Sequence, residues 1–191
     1  MVADYEAAWD SLVRRMRAMH SLWEQAVDTM DGDQVNYVER DGVLPIAFSL
    51  FHFVEIEDGS ATMLGAGDMI FDPAWSDRLK LAIPDHGKTR TVEEMVHQRI
   101  GDYRAFQDYM DQVFAKTESW LVSLDPATLD DVVVARPFPE GIATTYSARV
   151  AAERGITRLD ATECWIYQHG LRHMGEIEHA RALVGLGGMT S

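Results

Sequence analysis

HGLRHMGEIEHARALVG, His169 to Gly185, decides how this chain is read. At about 100° per residue, His169 and His173 fall on one apolar stripe with Ile166, Ile177, Ala180 and Val184, so the spacing predicts a helix that turns both imidazoles inward. A buried imidazole needs an acceptor, an acid or an ion. The rest of the sequence is read for that partner.

Working back from the pair, this fourth helix is expected to begin near Asp160, with Glu163 in capping spacing, and to end at Gly185, Gly187 and Gly188. Three other stretches carry the same period. Tyr5, Ala8, Trp9, Leu12, Met16, Met19, Trp23, Ala26 and Met30 predict a helix from about Ala3 to Met30. DGDQVNYVERDG breaks the period and reads as a loop. A second helix begins near Pro45, a residue suited to a first turn. It places His52 inward with Phe48, Ile56, Gly59 and Met63, and Glu55 at the edge of that stripe. A third opens at the capping box of Thr91 and Glu94 and runs through Met95, Ile100, Tyr103, Phe106, Met110, Val113, Trp120 and Leu124 to DPATLDD.

Leu64 to Thr91 and Asp125 to Leu159 are long connections. Within the latter, DVVVARPF and ATTYSARV read as short strands or irregular structure, and ARVAAERG as a helical turn. Four long stripes need one another to be buried, which predicts an all-α four-helix bundle with at least one long crossover. The 191 residues fit one domain, 1–191.

Composition narrows the function. A net charge of −14, from 17 Lys and Arg against 31 Asp and Glu, repels phosphate backbones and argues against nucleic acid. Cys164 is the single cysteine, which excludes an internal disulfide and a Cys-rich zinc site. MVADYEAAWD lacks the basic start of a signal peptide, and there is no apolar run of about 18 residues for a bilayer, so a cytoplasmic protein is expected.

Histidines at i and i+4 stand about 5–6 Å apart at Cβ, close enough to share one ion. If His52 reaches them from a neighbouring helix, three nitrogens converge and one coordination position stays open, as catalytic metal requires. The other reading is three core histidines bonded to nearby acceptors. Gly170 follows His169 where a zincin helix has glutamate, so a metalloprotease is excluded. Glu55 and Glu176 flank the histidines as orienting or proton-transfer groups, or as solvated helix edge. Cys164 reads as a small core residue before a nucleophile. His20, His86, His97 and His179 show no comparable convergence, and His179 is expected in solvent.

SLFHFVEIED on the second helix and H-G-L-R-H-M-G-E-I on the last resemble the DinB/YfiT-like superfamily of metalloenzymes, whose pattern is one histidine on helix two and H-x-x-x-H-x-G-Q/E on the last helix. The likeness extends to the order of the four helices. It implies an up-down-down-up bundle, a divalent ion, zinc or nickel, held by His52, His169 and His173, and a homodimer. It also implies chemistry with low-molecular-weight thiols. The chain departs from the family in its long 125–159 connection and in having Glu176 where glutamine is common, which leaves the substrate open.

Two functions are therefore expected to compete. In one, a metal-dependent enzyme activates water or a small thiol toward a small-molecule substrate, as a hydrolase or thiol S-transferase. In the other, the chain is a non-catalytic helical metal-binding or interaction protein. A homodimer is also expected because the Trp, Phe and Met of the four stripes exceed what one bundle hides.

Overall fold

The computed structural model describes residues 2–189; of Val2–Tyr5 only the backbone is described, so Tyr5 of the first stripe lies outside the described side chains. The protein is mostly helical with a small two-stranded antiparallel ladder. Helix α1, Val2–Asp28, buries Trp9, Leu12, Met16, Met19, Trp23 and Ala26 of the stripe read from sequence, while Ala8 of that stripe is exposed. The segment expected as a loop then contains one helical turn, α2, Gly32–Val35. Asp31 caps it by accepting from the N–H groups of Asp33 and Gln34 while the Gln34 side chain accepts from Asp31 N–H.

Helix α3, Ile46–Met63, follows Pro45 as expected. It is buried on nearly every side by Leu50, Phe51, Phe53 and Val54, with Asp58 and Glu57 fully buried as well. Met63, placed inward by the wheel, is 71% exposed because it lies at the last turn, beyond the core. Asp58 accepts from the backbone N–H groups of Ile70 and Phe71 and from Lys116 Nζ, tying the connection after α3 to the core. That connection includes α4, Pro73–Leu79, capped by Asp72.

The third stretch is two helices. The Thr91 and Glu94 box is present, but α5, Val92–Met95, ends after one turn, and α6, Tyr103–Ser123, starts afresh under an Asp102 cap. The chain breaks between them because Gln98, almost wholly buried, spends its side-chain amide on the backbone N–H and C=O of Ile83. Leu81 and Ile100 form a bridge beside it.

After a short 3₁₀ turn at Pro126–Thr128, β1, Val132–Ala135, pairs antiparallel with β2, Gly155–Thr157. Gly155 is required there: at φ +135° any Cβ would strike the Val134 carbonyl across the ladder. Between the strands, ATTYSARV is helical rather than extended, with α7 at Glu140–Ala143 and α8 at Tyr146–Val150 under a Thr145 cap. The last helical run begins one turn earlier than read. Thr157 and Asp160 form its capping box, not Asp160 and Glu163. It continues as α9, Arg158–Ala161, a π-helical turn at Thr162–Tyr167, and α10, Gln168–Leu183.

The long helices enclose one another: α10 packs on α3 and α1, and α6 packs on the same two. Their contact buries a continuous apolar core that includes Trp23, Phe106, Phe114 and Ile177. Among the described residues no helix is long and apolar enough to cross a membrane.

Candidate metal centre

His52 on α3 meets His169 and His173 on α10, with ring centroids 5.2, 5.0 and 4.6 Å apart for the three pairs. One nitrogen of each lies within 4.8 Å of the others. The α10 pair comes from the predicted stripe: Ile166, His173 and Ile177 are buried and His169 is half-buried. Gly170 lets the helix sit this deep, since a Cβ there would press on Met19 of α1 and stand 2.7 Å from Phe53 of α3. The room it makes is therefore taken by this chain's own core.

Two imidazoles are oriented from outside the cluster. His52 Nδ1 donates to the His86 carbonyl at 2.5 Å, and His173 Nδ1 donates to Glu176 Oε2 at 2.7 Å. Each bond places the proton on Nδ1 and leaves the Nε2 lone pair for the cluster. Glu176 Oε2 also accepts from Ser49 Oγ at 2.8 Å. His169 Nε2 lies 3.0 Å from His173 Nε2, while its buried Nδ1 has no partner among the described residues.

Burial drives the His52 pKa down to about 4, with the charges of His173 and His86 adding to it and the His86 carbonyl opposing. Burial also takes His169 down to about 2, helped by His173 and His52. Both are neutral at pH 7, the form that ligates metal. Three converging imidazoles, two with their Nδ1 protons fixed outward, could hold a metal ion.

The loop above His52 is held by its own bonds. Arg90 grips Asp85 through both Nε and Nη2, Gly87 N–H donates to Asp85, and Lys88 N–H donates to His86 Nδ1 at 3.0 Å. Gly87, at φ +77°, packs so closely on Phe48 that a side chain would collide. Sequence reasoning missed His86 because its contribution is a backbone carbonyl.

Of the flanking acids, Glu176 touches the cluster through His173, and Glu55 is buried on α3 without entering the three-nitrogen group. Burial raises the Glu55 carboxyl to about 7, reinforced by Asp58 and Asp85. Burial raises Glu176 too, but the His173 hydrogen bond and charge prevail and hold it below the usual range. Cys164 lies in the π turn, and burial with Asp160 and Glu163 pushes its thiol up to about 12, so it remains a protonated packing residue.

The remaining histidines separate. His97 and His179 are exposed. His20, read as showing no comparable convergence, stands outside the three-nitrogen group as a buried ion-pair residue: Nδ1 is 2.9 Å from Glu118 Oε1, Nε2 is 3.1 Å from Glu57 Oε1, and the ring stacks on Phe114 at 4.0 Å. Its partners sit on α3 and α6, which a wheel of α1 alone does not display.

No family model matches the chain. No curated protein matches it. Among solved structures it is similar to the crystal structure of a conserved protein from Enterococcus faecalis, at 17% identity and a TM-score of 0.71, over 92% of this chain and 95% of that one. That likeness shows a shared fold.

Proposed function

We propose that the chain is a single DinB/YfiT-like domain, an up-down-down-up four-helix bundle in which His52, His169 and His173 hold one divalent ion, and that it is an enzyme acting on a small molecule. The observation that carries this reading is the convergence of three imidazole nitrogens, two with their Nδ1 protons fixed by His86 and Glu176. An ion there would lower the pKa of a water or a low-molecular-weight thiol and polarise an electrophile. The protein's part is to hold the imidazoles neutral, aim their lone pairs and limit water.

Catalysis is favoured over the non-catalytic reading because Glu176 is already engaged by His173 and Ser49, so that among the described residues the group has three protein ligands and room for a water or substrate as a fourth. Glu176 is the positioning residue of His173, and Glu55, one helical turn beyond His52 on α3, is proposed as the proton-transfer group. A thiol remains the expected co-substrate.

Metal analysis of tag-free protein after growth with zinc, nickel and manganese tests this directly. One ion per chain is expected, lost in His173→Ala with most helicity kept, and retained in His179→Ala. An ion held equally well by His173→Ala, or a wild type without stoichiometric metal, ends the three-histidine reading.

A further inference from the structure

The face of α10 that carries the histidines does not stop at them. From His169 it steps by four, three, four and three residues through His173, Glu176 and Ala180 to Leu183, one continuous stripe. On α3, Ser49 stands one turn before His52 in the same way. Ser49 Oγ donates to Glu176 at 2.8 Å while the His52 ring meets His173, so the two helices run antiparallel here and their interface is layered. The three-histidine group is one layer, and the Ser49–Glu176 bond is the next.

Beyond that bond the interface opens. A cavity of about 390 Å³ lies between α10, the start of α3 and the segment before it, with Ser49 and Glu176 in its wall beside Val43, Leu44, Ile177 and Leu183. That volume is in the range of small-molecule sites, about 300–1,000 Å³. Leu183 is exposed, so the cavity is reached from solvent. Its wall carries charge of one sign. Glu176 takes its bonds from His173 and Ser49 on Oε2 alone, and among the described residues nothing donates to Oε1. Glu39 is the other acid of the wall, and its neighbour Arg40 donates to it. No Lys or Arg is among the described lining residues. Such a cavity repels an organic acid and offers a neutral hydrocarbon no use for the carboxylate, whereas a cation on an apolar body matches both the wall and the charge.

We propose that this cavity binds a primary amine with an apolar body, its ammonium donating to Glu176 Oε1 and its hydrocarbon lying along Val43, Leu44, Ile177 and Leu183. An ammonium has donors and no acceptor, so it can engage Oε1 without displacing the His173 and Ser49 bonds on Oε2. The amine site stands with or without an ion; only its use as the seat of the enzyme's substrate rests on the metal reading above.

Calorimetric titration of metal-stripped and zinc-treated protein with hexylamine, propylamine, hexanol and hexanoate tests it, with elemental analysis of every sample. Hexylamine is expected to saturate at one per chain in both forms. Hexanol and hexanoate should bind at least about tenfold more weakly, through loss of the charge-assisted bond, and propylamine more weakly by up to about fourfold for each methylene removed. In metal-stripped protein Glu176→Gln should weaken hexylamine about tenfold or more, and Glu39→Gln should weaken it less. Leu183→Arg sets a fixed cation at the opening and should abolish binding with the fold kept, since Leu183 is already exposed. No hexylamine binding, hexanol binding as tightly, or dependence on Glu39 rather than Glu176 would overturn the proposal. So would a dimer that Leu183→Arg dissociates while hexylamine stays unbound, because a second copy of the chain then covers the cavity. The two readings fail separately. Hexylamine binding by a wild type that takes up no zinc ends the metal reading and leaves the amine site; zinc uptake without hexylamine binding does the reverse.

Discussion

At the scale of single residues, the centre depends on bonds made by atoms that face away from it. Glu176 supplies one. Its replacement by alanine removes the acceptor of His173 Nδ1–H, and loss of such an orienting partner typically weakens metal binding about 10–100-fold. Competition with a chromophoric chelator measures the loss, with Glu176→Gln expected to fall between wild type and Glu176→Ala; equal affinities would mean that His173 needs no orientation. His20 gives a pH prediction. Burial lowers its pKa, but Glu57 and Glu118 outweigh burial and raise it to about 9. Because the folded value exceeds the ordinary 6.5, the stabilisation is complete below about pH 6.5 and is lost as pH rises through about 9. Its full size is on the order of 3 kcal/mol. Urea unfolding at pH 6, 8 and 10 should show wild type losing its advantage over His20→Gln across that window; Arg17 stands 3.4 Å from Glu118 on the outer side of the pair. A constant difference would refute the ion-pair assignment.

At the scale of elements, two glycines of α10 should respond oppositely to alanine. Gly175 is exposed with nothing within 4 Å of a Cβ, so Gly175→Ala should stabilise by up to about 1 kcal/mol through helix propensity. Gly170→Ala gains the same propensity but forces Met19 and Phe53 apart, and overpacking of about 1–3 kcal/mol should make it destabilising on balance. Thermal unfolding of both variants decides it; stabilisation by both would mean that α1 is not seated against α10. The same helix explains how far the sequence could be read. Its stripe was legible because Ile166, His173 and Ile177 face one core. The π turn before it was not, since an extra residue per turn leaves the flanking apolar residues in place. On α3 the wheel found His52 but misplaced Met63, because a helix buried on most sides carries little directional signal. The third stretch went wrong at Gln98, whose pairing with the Ile83 backbone is a tertiary event with no local signature.

At the scale of the whole molecule, Trp23, Phe53 and Phe114 are hidden within one chain, so the homodimer expected from the sequence would have to use other surface. Tyr37 and Leu183, 43% and 41% exposed, line a cavity of about 390 Å³ with Val43, Leu44 and Ile177, and give an apolar face of that kind. Sedimentation at micromolar concentration should give about twice 21.5 kDa; a mass near 21.5 kDa removes the dimer. The division of the histidines between α3 and α10 has a kinetic meaning as well. His52 and His169 are separated by more than a hundred residues, so an ion joining them closes most of the chain into a loop, and closure must await the docking of the last helix. Contacts that form after the folding barrier slow escape from the native state without hastening arrival. Stopped-flow chevrons with and without zinc should therefore differ in the unfolding limb and coincide in the folding limb, making the bound ion a clasp that sets the lifetime of the folded protein.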